Sequence, residues 1–323
     1  MTMLPHVASR VLDTPLVIGQ ARLEAILAVI GPRIGVAAPA PALPVMQDRQ
    51  GLPAPAVANG AERRRGANLV TPEGIAVIPV FGTLVKRAGA IEAASGLTSY
   101  GHLEERIMDA ATDPAVRAIL LDVDSPGGEA AGVFDLSDLV YEARGLKPVW
   151  AVADEEAFSG AYAIASAAER IVVPRTGGLG SIGVVAVHVD RSARDAMEGF
   201  RTTTVFAGAR KNDFNPHETL KDGALRTLQA EVDRVHTLFV DTVARNRDLA
   251  ENDVRATEAG LYFGEDAVRA GLADEVGTLR DALASLAATL SQPRTLITAP
   301  ASAALPRPAS HQPTNPPTER NAS

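Results

Sequence analysis

Between residues 75 and 247, short and almost wholly apolar runs alternate with segments of helical periodicity. No other feature of the chain restricts its fold as much. IAVIPV (75–80), AILLDV (118–123) and VWAVA (149–153) have the length and apolar content of buried strands. IVV (171–173), IGVVAVHV (182–189) and TTTVFA (202–207) read as further strands. The stretches 100–113, 128–145 and 217–247 read as helices. In the last of these, Leu225, Leu228, Val232, Val235 and Phe239 recur every three or four residues, so one face is apolar. Strands alternating with helices predict an α/β domain, its mostly parallel strands covered on both faces by flanking helices.

The flanks differ from this core. Residues 1–35 form an N-terminal arm in which 18–31 is expected to be an amphipathic helix, with Leu23, Ile26, Leu27 and Ile30 on one face. That face suits recruitment to a partner and packing on the chain's own core or a neighbouring subunit equally. Residues 36–68, rich in Ala, Pro and Gly, read as a flexible linker, and 291–323 as a disordered Pro-rich tail. The protein domain is therefore placed at 69–290. Of the 323 residues none is cysteine, which excludes disulfides, thiolate metal sites and a thiol nucleophile. The net charge of −8 offers no footprint for nucleic acid, and no apolar run reaches the length of a membrane anchor or a secretory signal. A cytoplasmic location is expected, and neither a cofactor nor a metal is implied.

Two stretches carry chemistry. In LLDVDSPGGEAAGVFDLSDLV (120–140) an apolar strand runs into Gly127-Gly128, a turn that lets backbone N–H groups approach a ligand. In AFSGAYAIASAAERIVV (157–173) Ser159 stands at the start of a helix, where it is either an N-cap or a nucleophile favoured by the helix dipole. A nucleophilic serine needs a base and an oxyanion hole. Gly127 or Gly128 can supply one backbone donor and Gly160 the other. None of the six histidines lies by a Gly-rich turn with an acidic partner. Of the 31 basic residues only four are lysines, and Lys211 follows Arg210 in VFAGARKNDFNP, so charge alone did not require it. Lysine can serve as a base where a desolvated site makes it neutral.

The segments DSPGG, FSGAYAIASAAERIVV, GSIGVV and GARK, in this order and spacing, resemble the signal peptide peptidase A-type serine proteases. The separations of 52 residues from Ser159 to Lys211 and of 22 from Ser159 to Ser181 agree with that family's bacterial short forms. So does LYFGEDAVRAGLADEVGTLRDAL (261–283). The edges of the chain, LPHVASRVLDTPLVI and GIAVIPVFGTLVKRAGAIEAASGLTSYGHLEERI, are similar to the capsid assembly proteases of tailed phages. One departure is Ala161, where many relatives have a second glycine.

The resemblance implies a Clp protease/crotonase-like fold and a Ser-Lys dyad in which Ser159 attacks, Lys211 is the base and Ser181 orients the lysine. It further implies an endopeptidase of phage or prophage head maturation, acting on scaffold, portal or other head proteins. By fold analogy a homo-oligomer is expected. The alternatives are a host cytoplasmic peptidase of the same kind, a crotonase-like acyl-CoA enzyme, and a catalytically silent capsid structural or scaffold protein.

Overall fold

The computed structural model describes residues 10–19, 23–24, 26–27, 31, 68–87 and 97–291. The expected Ile30, nearly all of the 36–68 linker and the tail after 291 lie outside the described residues. Four parallel strands form the centre: β3 (Ile75–Phe81), β6 (Ala118–Ser125), β8 (Val149–Phe158) and β9 (Arg170–Val173). Antiparallel β2 (Leu69–Val70) edges β3. The far end of β8 pairs with parallel β10 (Gly178–Gly180), which in turn pairs antiparallel with β11 (Leu261–Phe263). A short β12 (Glu275–Val276) closes on β9.

Alternation along β6 explains the layers. Ile119, Leu121 and Val123 face one way, into the main core with helices α1 (Tyr100–Thr112), α2 (Val133–Ala143), α3 (Gly160–Ala165) and α5 (Asp222–Arg247). Ala118 and Leu120 face the other way, under Ala282 and Leu286 of α8 (Leu279–Ser291). The α/β class with mostly parallel strands and helices on both faces is thus as the sequence predicts. Among the described residues no helix is long and apolar enough to cross a membrane.

A second, smaller sheet stands over the ends of β6 and β8. Its order is β1 (Leu16–Ile18), β7 (Gly127–Glu129), β4 (Thr83–Val85) and β5 (Leu97–Ser99). It accounts for three departures from the sequence-based expectation. The helix expected from residue 128 starts at Val133, because Gly127–Glu129 is engaged as a strand. The arm helix expected from residue 18 is preceded by a strand, with residues 23, 24, 26, 27 and 31 helical. IGVVAVHV is not a ladder strand; only Val185 and Val187 make isolated bridges, to Leu16 and Leu12.

TTTVFA is no strand either. It is exposed throughout, with no neighbouring strand among the described residues, and a strand without a partner leaves its backbone groups to water. The short α4 (Ser192–Met197) just before it buries no residue. In the arm, Leu23 packs with Leu16 and Ile18, and Ile26, Leu27, Val185 and Val187 lie against them. The described part of its apolar face thus packs on the chain's own body.

Candidate active site

The end of β6 is shaped by Ser125. Its buried hydroxyl donates to the Gly82 carbonyl at 2.7 Å and accepts the Gly127 N–H at 3.2 Å, which turns the chain after Pro126. Gly127 adopts φ 95°, and a β-carbon on it would come within 2.8 Å of the Gly160 nitrogen and 3.0 Å of the Phe158 carbonyl oxygen. A β-carbon on Gly128 would collide with the backbone of Leu84. Both positions therefore require glycine, for close approach of one backbone to another.

At the end of β8 the backbone bends sharply. Phe158 pairs with Gly180, and the next residue, Ser159, takes φ 53° and ψ −119°, a conformation side chains rarely hold. The Ser159 N–H donates to the Gly180 carbonyl at 2.8 Å, and its own carbonyl accepts from Ala163 at 3.0 Å. Its hydroxyl makes no cap bond, and Oγ has no hydrogen-bond partner among the described residues although the residue is only 1% exposed. The N-cap reading fails on both counts, since a cap has extended dihedrals and an engaged side chain. The dipole argument also weakens, because α3 is a helix of only six residues. What the helix start offers is its first N–H groups, that of Gly160 among them, which have no intrahelical acceptor.

Ser181 follows Gly180 as Ser159 follows Phe158, so the two serines leave neighbouring parallel strands side by side. Ser181 also has positive φ (54°) and donates its N–H to the Gly260 carbonyl at 2.8 Å. The chain thus brings Ser159, Ser181, Gly127, Gly128 and Gly160 together. Lys211 is not hydrogen-bonded to them: it is exposed in a turn, its N–H bonded to the Gly208 carbonyl at 3.0 Å, and the Ser159 hydroxyl makes no bond to it.

Three features escape sequence reasoning. Asn246, buried on α5, donates to the hydroxyls of Ser137 (3.1 Å) and Ser166 (2.9 Å), and both hydroxyls donate to the Ala163 carbonyl. With the Tyr162 hydroxyl on the Leu272 carbonyl (3.0 Å), this network clamps the short helix behind Ser159. Asp122, on β6, is buried with one carboxylate oxygen unpartnered; burial, and the nearby Asp154 and Asp124, push its pKa up to about 7. Third, β1 of the arm lies against Gly127, Gly128 and Gly160. Neither spacing nor residue type marks any of these, because each arises from segments far apart in the chain.

An unpartnered hydroxyl on a strained turn, with the Gly127–Gly128 backbone and the Gly160 N–H beside it, is an arrangement suited to acyl transfer. Residues 142–292, which include Ser159, Ser181 and Lys211, match Peptidase family S49. Capsid assembly protease C of Escherichia phage lambda is 36% identical over 283 residues, covering 87% of this chain and 64% of that protein. Head-tail preconnector protein GP5 of Enterobacteria phage P21 is 36% identical over 290 residues, 89% of this chain and 58% of that protein. The chloroplastic serine protease SPPA of Arabidopsis thaliana is 29% identical over 216 residues, 65% of this chain and 31% of that protein. The chain therefore spans less than two thirds of each of these relatives. Among solved structures, a ClpP1 mutant from Listeria monocytogenes aligns with a TM-score of 0.40 at 11% identity, over 64% of this chain and 94% of that one. The fold class stands on the strand order itself. Residues 142–292 thus match Peptidase family S49, and over most of its length the chain is similar to the lambda capsid assembly protease C and the P21 head-tail preconnector protein GP5.

Proposed function

We propose that the chain is a Ser-Lys endopeptidase that cleaves head proteins, scaffold or portal among them, during phage or prophage capsid assembly. The observation that carries this reading is Ser159: a buried, unpartnered hydroxyl held at a strained turn between two glycine-lined backbones. In the proposed reaction Ser159 Oγ attacks the scissile carbonyl and Lys211 takes its proton. The lysine then passes that proton to the leaving amine, and water releases the acyl group. Gly160 supplies one oxyanion donor. Gly128 is favoured for the other, because the Gly127 N–H is already bonded to Ser125. Loss of one such donor typically raises the barrier by about 3 kcal/mol. Ser181, beside Ser159, orients the lysine.

Lys211 sits on an exposed segment and makes no bond to the Ser159 hydroxyl, and in this reading a second copy of the chain brings it to Ser159. The flanking Met197, Phe200, Val205 and Phe206 are exposed apolar residues of the kind a subunit interface covers. Head proteins as substrates rest on the names of the two phage relatives.

The test is purified Ser159→Ala and Lys211→Arg protein incubated with procapsid proteins. Both variants should fold and leave the substrates intact, since arginine keeps the charge but cannot act as the base. Cleavage by Lys211→Arg at the unmodified rate would overturn the dyad.

A further inference from the structure

We propose that Leu16–Ile18 occupies the peptide-binding slot of the Ser159 site as an internal stand-in for substrate, so that the described state is self-occluded. The proposal rests on the reading of Ser159 as nucleophile. Strand β1 is inserted between two backbone edges. On one side it pairs antiparallel with β7, Val17 opposite Gly128 and Ile18 opposite Gly127. On the other, Leu16 and Val185 exchange both backbone hydrogen bonds, at 2.8 and 3.0 Å. An extended peptide hydrogen-bonded to an exposed strand edge is the general way a groove of this kind holds a chain.

The central residue is in contact with the site. A β-carbon on Gly160 would lie 2.8 Å from Val17 Cγ2 and 3.3 Å from the Val17 carbonyl oxygen, and one on Gly127 would collide with that same oxygen. The Val17 carbonyl therefore lies against the two backbones that offer oxyanion donors. Its side chain is fully buried in the main core, whereas Leu16 and Ile18 face the opposite side with Leu23. Latches on the strand's N-terminal side hold it down: Arg10 with Glu129 at 2.5 Å, the Arg10 guanidinium on the Arg87 carbonyl, the Asp13 N–H on Val187 at 2.9 Å, and Asp13 with His188 at 2.7 Å.

Two consequences follow. While β1 is in place no other peptide can pair with Gly127–Glu129, and the Ser159 side chain is sealed from solvent. When it leaves, the slot takes an extended peptide with a small branched apolar side chain where Val17 lies.

Because the chain has no cysteine, L16C combined with V185C creates one disulfide only. Residues that exchange both hydrogen bonds have Cα atoms about 5.5 Å apart, within reach of a disulfide. The full chain carrying both substitutions is treated with a fluorophosphonate probe, oxidised and then reduced, and Ser159→Ala serves as control. Labelling at residue 159 should be at least about tenfold slower in the oxidised form, since only the fraction with a vacated slot reacts. Equal labelling of the two forms, with unchanged thermal stability, would overturn the occlusion and leave the nucleophile standing. Labelling that survives Ser159→Ala would instead remove the nucleophile, and with it the proposal.

Discussion

Ser159 combines two local costs, a left-handed backbone and a buried hydroxyl without a partner. Strained dihedrals of this kind cost on the order of 1–3 kcal/mol. Ser159→Gly should therefore be more stable than Ser159→Ala by about 1 kcal/mol, because glycine adopts positive φ freely, while both abolish cleavage. Urea unfolding midpoints check it, and equal midpoints would refute the strain. Asp122 is the second residue where burial opposes charge. With its pKa near 7 in the fold and near 4 when unfolded, the folded chain holds a proton that the unfolded chain releases. Stability should then decline as pH rises from about 4 to 7. Asp122→Asn, with the same shape and no charge, should flatten that decline and be more stable at pH 8 by on the order of 2–4 kcal/mol. Unfolding midpoints measured from pH 5 to 8 decide this, and a parallel pH dependence in the two proteins would contradict it.

Helix α3 is too short to persist without tertiary support. Its support is the Asn246–Ser137–Ser166 network and the Tyr162 hydroxyl. Asn246→Ala removes a buried donor shared by two hydroxyls, which should cost about 1–3 kcal/mol. It should also slow probe labelling of Ser159, although Asn246 does not touch it. Wild-type stability in that variant would show the network to be idle. The second sheet makes the related point for strands. Periodicity located β3, β6 and the first half of β8, where both neighbours are strands of the same layer. It misplaced 127–129, which pairs with the arm on one side and β4 on the other, and 182–189, whose bridges go to the arm.

At the scale of the molecule, the exposure of Lys211 and its lack of a bond to Ser159 define the expected behaviour of mixtures. If a second copy supplies the lysine, Ser159→Ala and Lys211→Arg subunits, each inactive alone, should regain activity when co-assembled, up to about a quarter of sites for random neighbours in a closed ring. A mixture that stays inactive while forming mixed oligomers would place both groups in one chain.

The alternation of apolar runs determined the α/β class, and the Gly-Gly and Ser-Gly turns identified where two backbones meet, because both signals are local. The Ser-Gly turn alone left the role of Ser159 open, since a cap and a nucleophile look alike there, and the family resemblance favoured the nucleophile. The tertiary structure decided against the cap by leaving its hydroxyl unpartnered on a strained turn. Only the tertiary structure could show Gly127 lying against Gly160, Asn246 reaching two distant serines, and residues 16–18 lying across the site. Each of these joins segments dozens of residues apart through backbone edges and buried hydroxyls, whose partners are chosen by packing and leave no period in the chain.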